Sequence, residues 1–311
     1  MATVPDEATT VPPPARAARR DADHASPRIP GRPGRFTRQE PLFIGGLTVG
    51  ILLGVWQLVA SLRLVPPLFL PGPTDIVDAY RVLGGFDKAG AYLADNPSDI
   101  AGYFRVLFTQ GTIWYDIWVS GQEVVYGYGL AVIVGLPLGL LMGWYKRFKY
   151  ALDPFVSFFY SAPRIALVPL MVIWLGIGIW SKIAVIFLGA FFPIVINTMT
   201  GVQNLDPSLI KAARSFGASD AQIFRTLALP GSVPFIVAGL RLGVGHALIG
   251  VVAGELVAAQ AGVGLMMAKA GATFQTSKVF AGLIIIAGTG ILINLILQRI
   301  ESRFQAWKPN H

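Results

Sequence analysis

The chain has no cysteine and only three histidines, His24, His246 and His311, far apart in its 311 residues. Without thiols there are no disulfides, thiolate metal sites or cysteine nucleophiles. Three scattered imidazoles leave a metal centre little to stand on. Charge is scarce as well: Asp, Glu, Lys and Arg make up 14% of the residues, against about 25% in ordinary soluble domains. No Gly-Lys dipeptide occurs anywhere, which excludes a Walker A loop and leaves any nucleotide chemistry to another chain. No Ser/His/Asp set, catalytic carboxylate pair or haem ligand set stands out at usable spacing. The chain is therefore expected to be no enzyme in its own right and to bind no cofactor itself.

What fills the chain instead is apolar. Hydrophobic residues make up 54% and the mean hydropathy is +0.59, a composition expected in lipid. The net charge of +8 raises the question of nucleic acid, but the basic residues flank apolar runs and do not form a groove, so a membrane surface fits better. Charge-free stretches at 41–62, 124–145, 183–205 and 279–298 are each long enough to cross, since roughly 20 residues at 1.5 Å per residue span the hydrocarbon. Two more spans are interrupted, 154–180 by Pro163, Arg164 and Pro169, and 233–258 by Arg241, His246 and Glu255. The expectation is an all-α membrane protein with six transmembrane helices.

Orientation follows from the basic residues. Placing both termini inside puts sixteen Lys and Arg in the cytoplasm and seven outside (Arg63, Arg81, Lys88, Arg105, Lys182, Lys269 and Lys278), with Arg164 and Arg241 inside spans. Residues 1–40, rich in Pro, Ala and Arg, read as a disordered cytoplasmic tail, neither signal peptide nor core. Residues 64–123 form a long outer segment, near whose end Trp114, Tyr115 and Trp118 read as interfacial anchors where the chain re-enters lipid. Small residues recur every four positions: Gly46, Gly50 and Gly54; Gly127, Ala131, Gly135, Gly139 and Gly143; Gly239, Gly243 and Ala247. Such stripes let helices approach closely, and at most one is expected to serve a subunit interface.

The stretch 206–230 is polar yet lies between two apolar runs. Asp206 N-caps a helix whose first residue is Pro207, and Gly217 provides a left-handed stop. Ser219 and Gln222 form a capping box that opens a second short helix, ended by Pro230. A mere turn between spans needs no such pair of capped helices.

In this loop Lys211, Ala212, Ala213, Gly217, Leu227, Leu229 and Pro230 resemble the cytoplasmic signature of ATP-driven import permeases, Glu-Ala-Ala, three residues, Gly, nine residues, Ile, one residue, Leu-Pro. Lys211 stands where the family has an acid, and Leu227 where it has isoleucine. The runs 190–198 (Ala-Phe-Phe-Pro-Ile-Val-Ile-Asn-Thr) and 238–243 (Ala-Gly-Leu-Arg-Leu-Gly) are similar to the nitrate/sulfonate/taurine branch, and Val65 to Thr74 resembles the family's loop after the first helix. Gly84 to Gly111 is longer than the family carries there. The resemblance covers residues 47–307 and implies a type I ABC importer permease in the bacterial inner membrane, present as a homodimer. It implies as partners two cytoplasmic ATPase subunits that use ATP and Mg, and a periplasmic solute-binding protein. In that picture 206–230 is the coupling loop and 41–307 the permease domain.

Polar residues inside the spans are candidates for a solute pathway: Arg164, Asn197, Arg241, His246 and Glu255. The alternative for each is architectural, with Arg241 cross-linking helices, Glu255 at the outer interface, and Asn197 and Thr198 making packing hydrogen bonds. An ATP-independent transporter or channel is the competing function class, since broken spans suit one. A membrane anchor for an electron-transfer enzyme is a third, weakened by the missing ligands.

Overall fold

The computed structural model describes residues 40–305. The expected disordered tail, 1–40, lies outside the described residues apart from Glu40, and so do residues 306 and 307 of the expected permease domain. In chain order the helices are α1 (Glu40–Ser61), α2 (Pro73–Gly84), α3 (Phe86–Asp95), α4 (Ile100–Leu107), α5 (Ile113–Trp144), α6 (Lys146–Ser161), α7 (Val168–Leu175), α8 (Ile179–Gln203), α9 (Pro207–Ser215), α10 (Asp220–Ile223), α11 (Leu229–Ala258), α12 (Val263–Ala272) and α13 (Thr276–Gln305). No strand occurs among the described residues. The chain divides into two compact units, residues 1–52 and 53–311. Of the first, α1 as far as Leu52 is described: an apolar helix with Phe43, Ile44 and Leu52 all exposed. The second unit holds the remaining helices.

Among the described residues five helices are long and apolar enough to cross a membrane, and the bent pair α6 and Arg164–Leu175 makes a sixth if counted as one span. The boundaries differ from the charge-free windows for physical reasons. Helix α5 begins at Ile113, eleven residues before Val124, because Glu123 is buried against Lys182 and does not end the helix. The third span is not one interrupted helix over 154–180. It starts at Lys146, turns by 92° and resumes after a 3₁₀ turn at Arg164–Leu167. Ala162 is extended (φ −69°, ψ 141°), as the ring of Pro163 requires of the residue before it.

The core sits along α8. Ile186, Ala190 and Ile194 pack between Val124 and Ala131 of α5 and Ala247 and Val251 of α11. Glycines make that approach possible, since a Cβ at Gly139 would lie 2.7 Å from the carbonyl oxygen of Val195, and one at Gly143 2.6 Å from Val202 Cβ. On the other side a Cβ at Gly239 would come within 2.8 Å of Asn197 Cβ. Helices in lipid gain nothing from burying apolar surface against each other, so this interlocking contact holds them. Two of the three small-residue stripes therefore serve packing within the chain. At Gly54, in the α1 stripe, an added Cβ would meet nothing within 4 Å.

The long segment before α5 folds into α2, α3 and α4. Asp99 caps α4 by accepting from the N–H of Gly102 at 2.7 Å. The Tyr80 hydroxyl ties α2 to α13 by donating to the Ala281 carbonyl at 2.7 Å.

Candidate functional site

The segment between α8 and α11 is self-sufficient at one end and anchored at the other. Asp206 accepts from the N–H of Ser208 at 2.8 Å, capping α9, and this bond holds its carboxyl below the usual aspartate range. At the far end Gly217 has φ +79°. Its N–H reaches the Arg214 carbonyl at 2.9 Å, and the N–H of Ala218 reaches that of Ala213 at 3.1 Å, the paired closure of a Schellman stop. Ser219 and Gln222 form the reciprocal capping box. Arg214 bridges the turn to Asp220 at 3.0 Å.

No residue of α9 is buried. Lys211 and Ala212 are exposed, Ala213 is half-buried, and Phe216 at the end of the helix is 91% exposed. Motif spacing does not single out this phenylalanine; its cue in the sequence is a large apolar residue beside the glycine stop. Past the turn the chain docks: Ile223 and Ala228 are fully buried, and the Phe224 ring meets Trp144 at the end of α5, 5.4 Å between centroids.

One expectation fails here. Pro230 does not end a second short helix. The chain runs from α10 through a π turn at Phe224–Ala228 straight into α11, with the Leu229 N–H bonded back to Phe224. That wider turn brings Pro230 into the first turn of α11, where a missing N–H is tolerated. Leu227 is half-buried, while Leu229 and Pro230 are exposed.

The polar residues within the bundle fall into separate places. Asn197 donates from Nδ2 to the Pro193 carbonyl of its own helix at 2.8 Å, a packing bond. Arg241 on α11 pairs with Glu301 on α13, their side chains 35% and 16% exposed. The pair cross-links two helices, and Glu301 was not foreseen although it is an acid near the end of the last span.

Glu255, three residues before the end of α11, is buried within the bundle at 1% exposure. Its carboxylate accepts from the Ser120 hydroxyl at 2.5 Å and from the N–H of Gly264. Ser120 in turn accepts from the Val263 N–H at 2.9 Å, and Asp116 from the Gly262 N–H at 2.9 Å. Carboxylates of α5 and α11 thus clamp the turn into α12, and Gly262 (φ +129°) admits the carboxylate where a Cβ would strike it. Alongside lies the buried pair Glu123–Lys182. Lys182 is therefore no surface charge, as its place in the count of outer basic residues assumed; the helix start hides it. This cluster lies at the opposite end of α8 and α11 from α9.

Arg164 and His246 come together on a cavity of about 420 Å³ between the break after α6 and helices α8 and α11. Arg164 stacks over the Tyr160 ring, 5.3 Å to its centroid, and donates to the Gly189 carbonyl at 3.4 Å. His246 Nδ1 bonds the Leu242 carbonyl at 2.8 Å; a carbonyl only accepts, so Nδ1 carries the proton.

Long apolar helices, buried charges that are paired or hydrogen-bonded, and one exposed capped element define a multi-pass membrane subunit that works with a partner. Residues 135–306 match the family of binding-protein-dependent transport system inner membrane components, and the chain belongs to that family. It is 36% identical over 88% of its length to the taurine transport system permease protein TauC of Escherichia coli (strain K12), covering 91% of that protein. To the putative aliphatic sulfonates transport permease protein SsuC of Bacillus subtilis (strain 168) it is 34% identical over 77% of its length and 87% of the relative. To the formylaminopyrimidine transport permease protein ThiX of Halalkalibacterium halodurans it is 34% identical over 58% of its length and 73% of the relative. The fold matches a chain of the inward-facing MetNI methionine ABC transporter with a TM-score of 0.54 at 21% identity, covering 61% of this chain and 94% of that one.

The chain is thus the permease subunit of an ABC importer, with ATP hydrolysis in a separate ATPase. Membership sets aside the ATP-independent transporter, the channel and the electron-transfer anchor.

Proposed function

We propose that two copies of this chain form the path by which a small sulfonate, taurine or a similar oxyanion enters the cell. A solute-binding protein delivers the anion, and two ATPase subunits drive its passage. The observation that carries the coupling part is the contrast within 206–228. Helix α9 has no buried residue and is closed at both ends by bonds within its own segment, whereas Ile223, Phe224 and Ala228 are fixed to the bundle. An element so built transmits a push from a partner into α11 without unfolding, which is what biasing a two-state bundle requires. Lys211, Ala212, Ala213, Gly217 and Phe216 form the face offered to the ATPase. Both termini and α9 lie in the cytoplasm, as the excess of basic residues there favours. The substrate class rests on the similarity to TauC and SsuC.

The test is uptake into proteoliposomes that contain the permease with the ATPase and binding protein that accompany it. Taurine, an alkanesulfonate, nitrate and a formylaminopyrimidine are offered separately, with and without ATP inside. ATP-dependent uptake of taurine or the sulfonate is expected. Uptake of the pyrimidine alone would overturn the substrate class and leave the permease assignment intact.

A further inference from the structure

The charges seated deepest between the long helices meet their complements within the chain: Glu123 meets Lys182, Arg241 meets Glu301, and Glu255 meets the Ser120 hydroxyl and the Gly264 N–H. Arg164 differs. Among the described residues no carboxylate pairs with it; its guanidinium has the Tyr160 ring and one long bond to the Gly189 carbonyl. No Asp or Glu lines the cavity on which it lies. A guanidinium carries five donors in a planar fork, so most of Arg164's remain for something else.

The place suits a solute in transit. Gly189 lies ten residues into α8 and His246 twelve before the end of α11, roughly 15 and 18 Å along their helices and so near mid-depth. The cavity's 420 Å³ falls within the ~300–1,000 Å³ of small-molecule sites. It is reachable from the chain's surface, since Ile249 on its wall is 55% exposed. Two local features shape it. The break at Pro163 turns Arg164 inward, and Gly189 lets the α11 backbone come so near that a Cβ would sit 3.0 Å from the His246 carbonyl oxygen.

We propose that this cavity is a transit subsite for a small oxyanion, with Arg164 as its fixed positive charge. The identity of that anion as a sulfonate rests on the function proposed above; the charge preference does not. One guanidinium, with no Lys or second Arg among the lining residues, holds the anion loosely enough to release it, as conduction through a site demands.

The absence of cysteine makes a direct test possible. Ile249→Cys places a single thiol on the wall of the intact complex. Small methanethiosulfonate reagents, one bearing a sulfonate and one a trimethylammonium, modify it with release of methanesulfinate, and the permease chain is weighed by mass spectrometry. The anionic reagent is expected to react faster by about tenfold relative to the same pair of reagents on free thiol, at low salt. Arg164→Gln in the same background should abolish that preference and Arg164→Lys should keep it. Equal relative rates with Arg164 in place would overturn the proposal, the result expected if a carboxylate of the second copy neutralised it. The pair of reagents needs no change at Arg164, so an unstable variant does not remove the test.

Taurine uptake by Arg164→Gln complexes should fall at least about tenfold, while ATP hydrolysis stimulated by the loaded binding protein persists. Unchanged uptake would overturn the subsite. A wild-type complex that carries no sulfonate would defeat the functional reading, while charge selectivity at position 249 would still decide this one.

Discussion

The two ends of α8 and α11 solve opposite problems. At one end Glu123, Lys182, Ser120 and Glu255 are buried, and the partners that fix the turn into α12 come from the chain itself. At the other, α9 has no buried residue, its caps are satisfied locally, and Phe216 stands in the open. A buried charge is tolerated only with its complement in place, so the first end is rigid by necessity. The second end is folded yet exposed.

The sharpest way to break this comparison is Lys182→Met, which leaves Glu123 buried without its cation. Loss of one member of a buried pair costs roughly 3–5 kcal/mol. The melting temperature of the purified permease should drop steeply, and adding Glu123→Leu should restore much of it. A small drop for the single variant would mean that the pair is open to water.

At the opposite end Gly217→Val should act differently. A β-branched residue at φ +79° carries about 1–3 kcal/mol of strain, confined to a turn with no buried neighbour. Insertion and thermal stability should survive while ATPase association and uptake fall. Wild-type uptake by this variant would remove the turn from coupling.

The cap at Asp206 adds a pH signature. Its folded pKa is lowered by the Ser208 N–H, so its contribution to α9 is complete above the ordinary aspartate value and is lost as pH falls through the lower folded value. Amide exchange in α9, corrected for intrinsic rates, should quicken only in that acid window, and Asp206→Asn should remove the pH dependence. The smallest effect is expected from Lys211→Glu, since an exposed pair contributes about 0.2–1 kcal/mol. ATPase binding should weaken modestly and less so at high salt. Tighter binding would mean that the partner surface is basic there.

Local chemistry was legible wherever a signal and its effect lie within a few residues. The caps at Asp206 and Ser219 and the stop at Gly217 are of this kind, because each depends on backbone groups two to five positions apart. Pro230 was misread because the π turn before it absorbs the disruption, and five residues of widened helix leave no mark in composition. Lys182 was counted with surface charges because its partner Glu123 lies 59 positions earlier in the chain. Arg241 with Glu301, and Ser120 with Glu255, escaped notice for the same reason.

By itself the sequence determined that the chain is helical and membrane-borne and how α9 is capped and stopped, since apolar length, capping and glycine φ are properties of neighbouring residues. The tertiary structure alone decided which intramembrane charges are neutralised and which one is left on a cavity. Charge compensation acts through space: Glu123 and Lys182 meet because α5 and α8 interlock at glycines, whereas among the described residues Arg164 meets no carboxylate, because the break at Pro163 turns it toward Gly189 and His246.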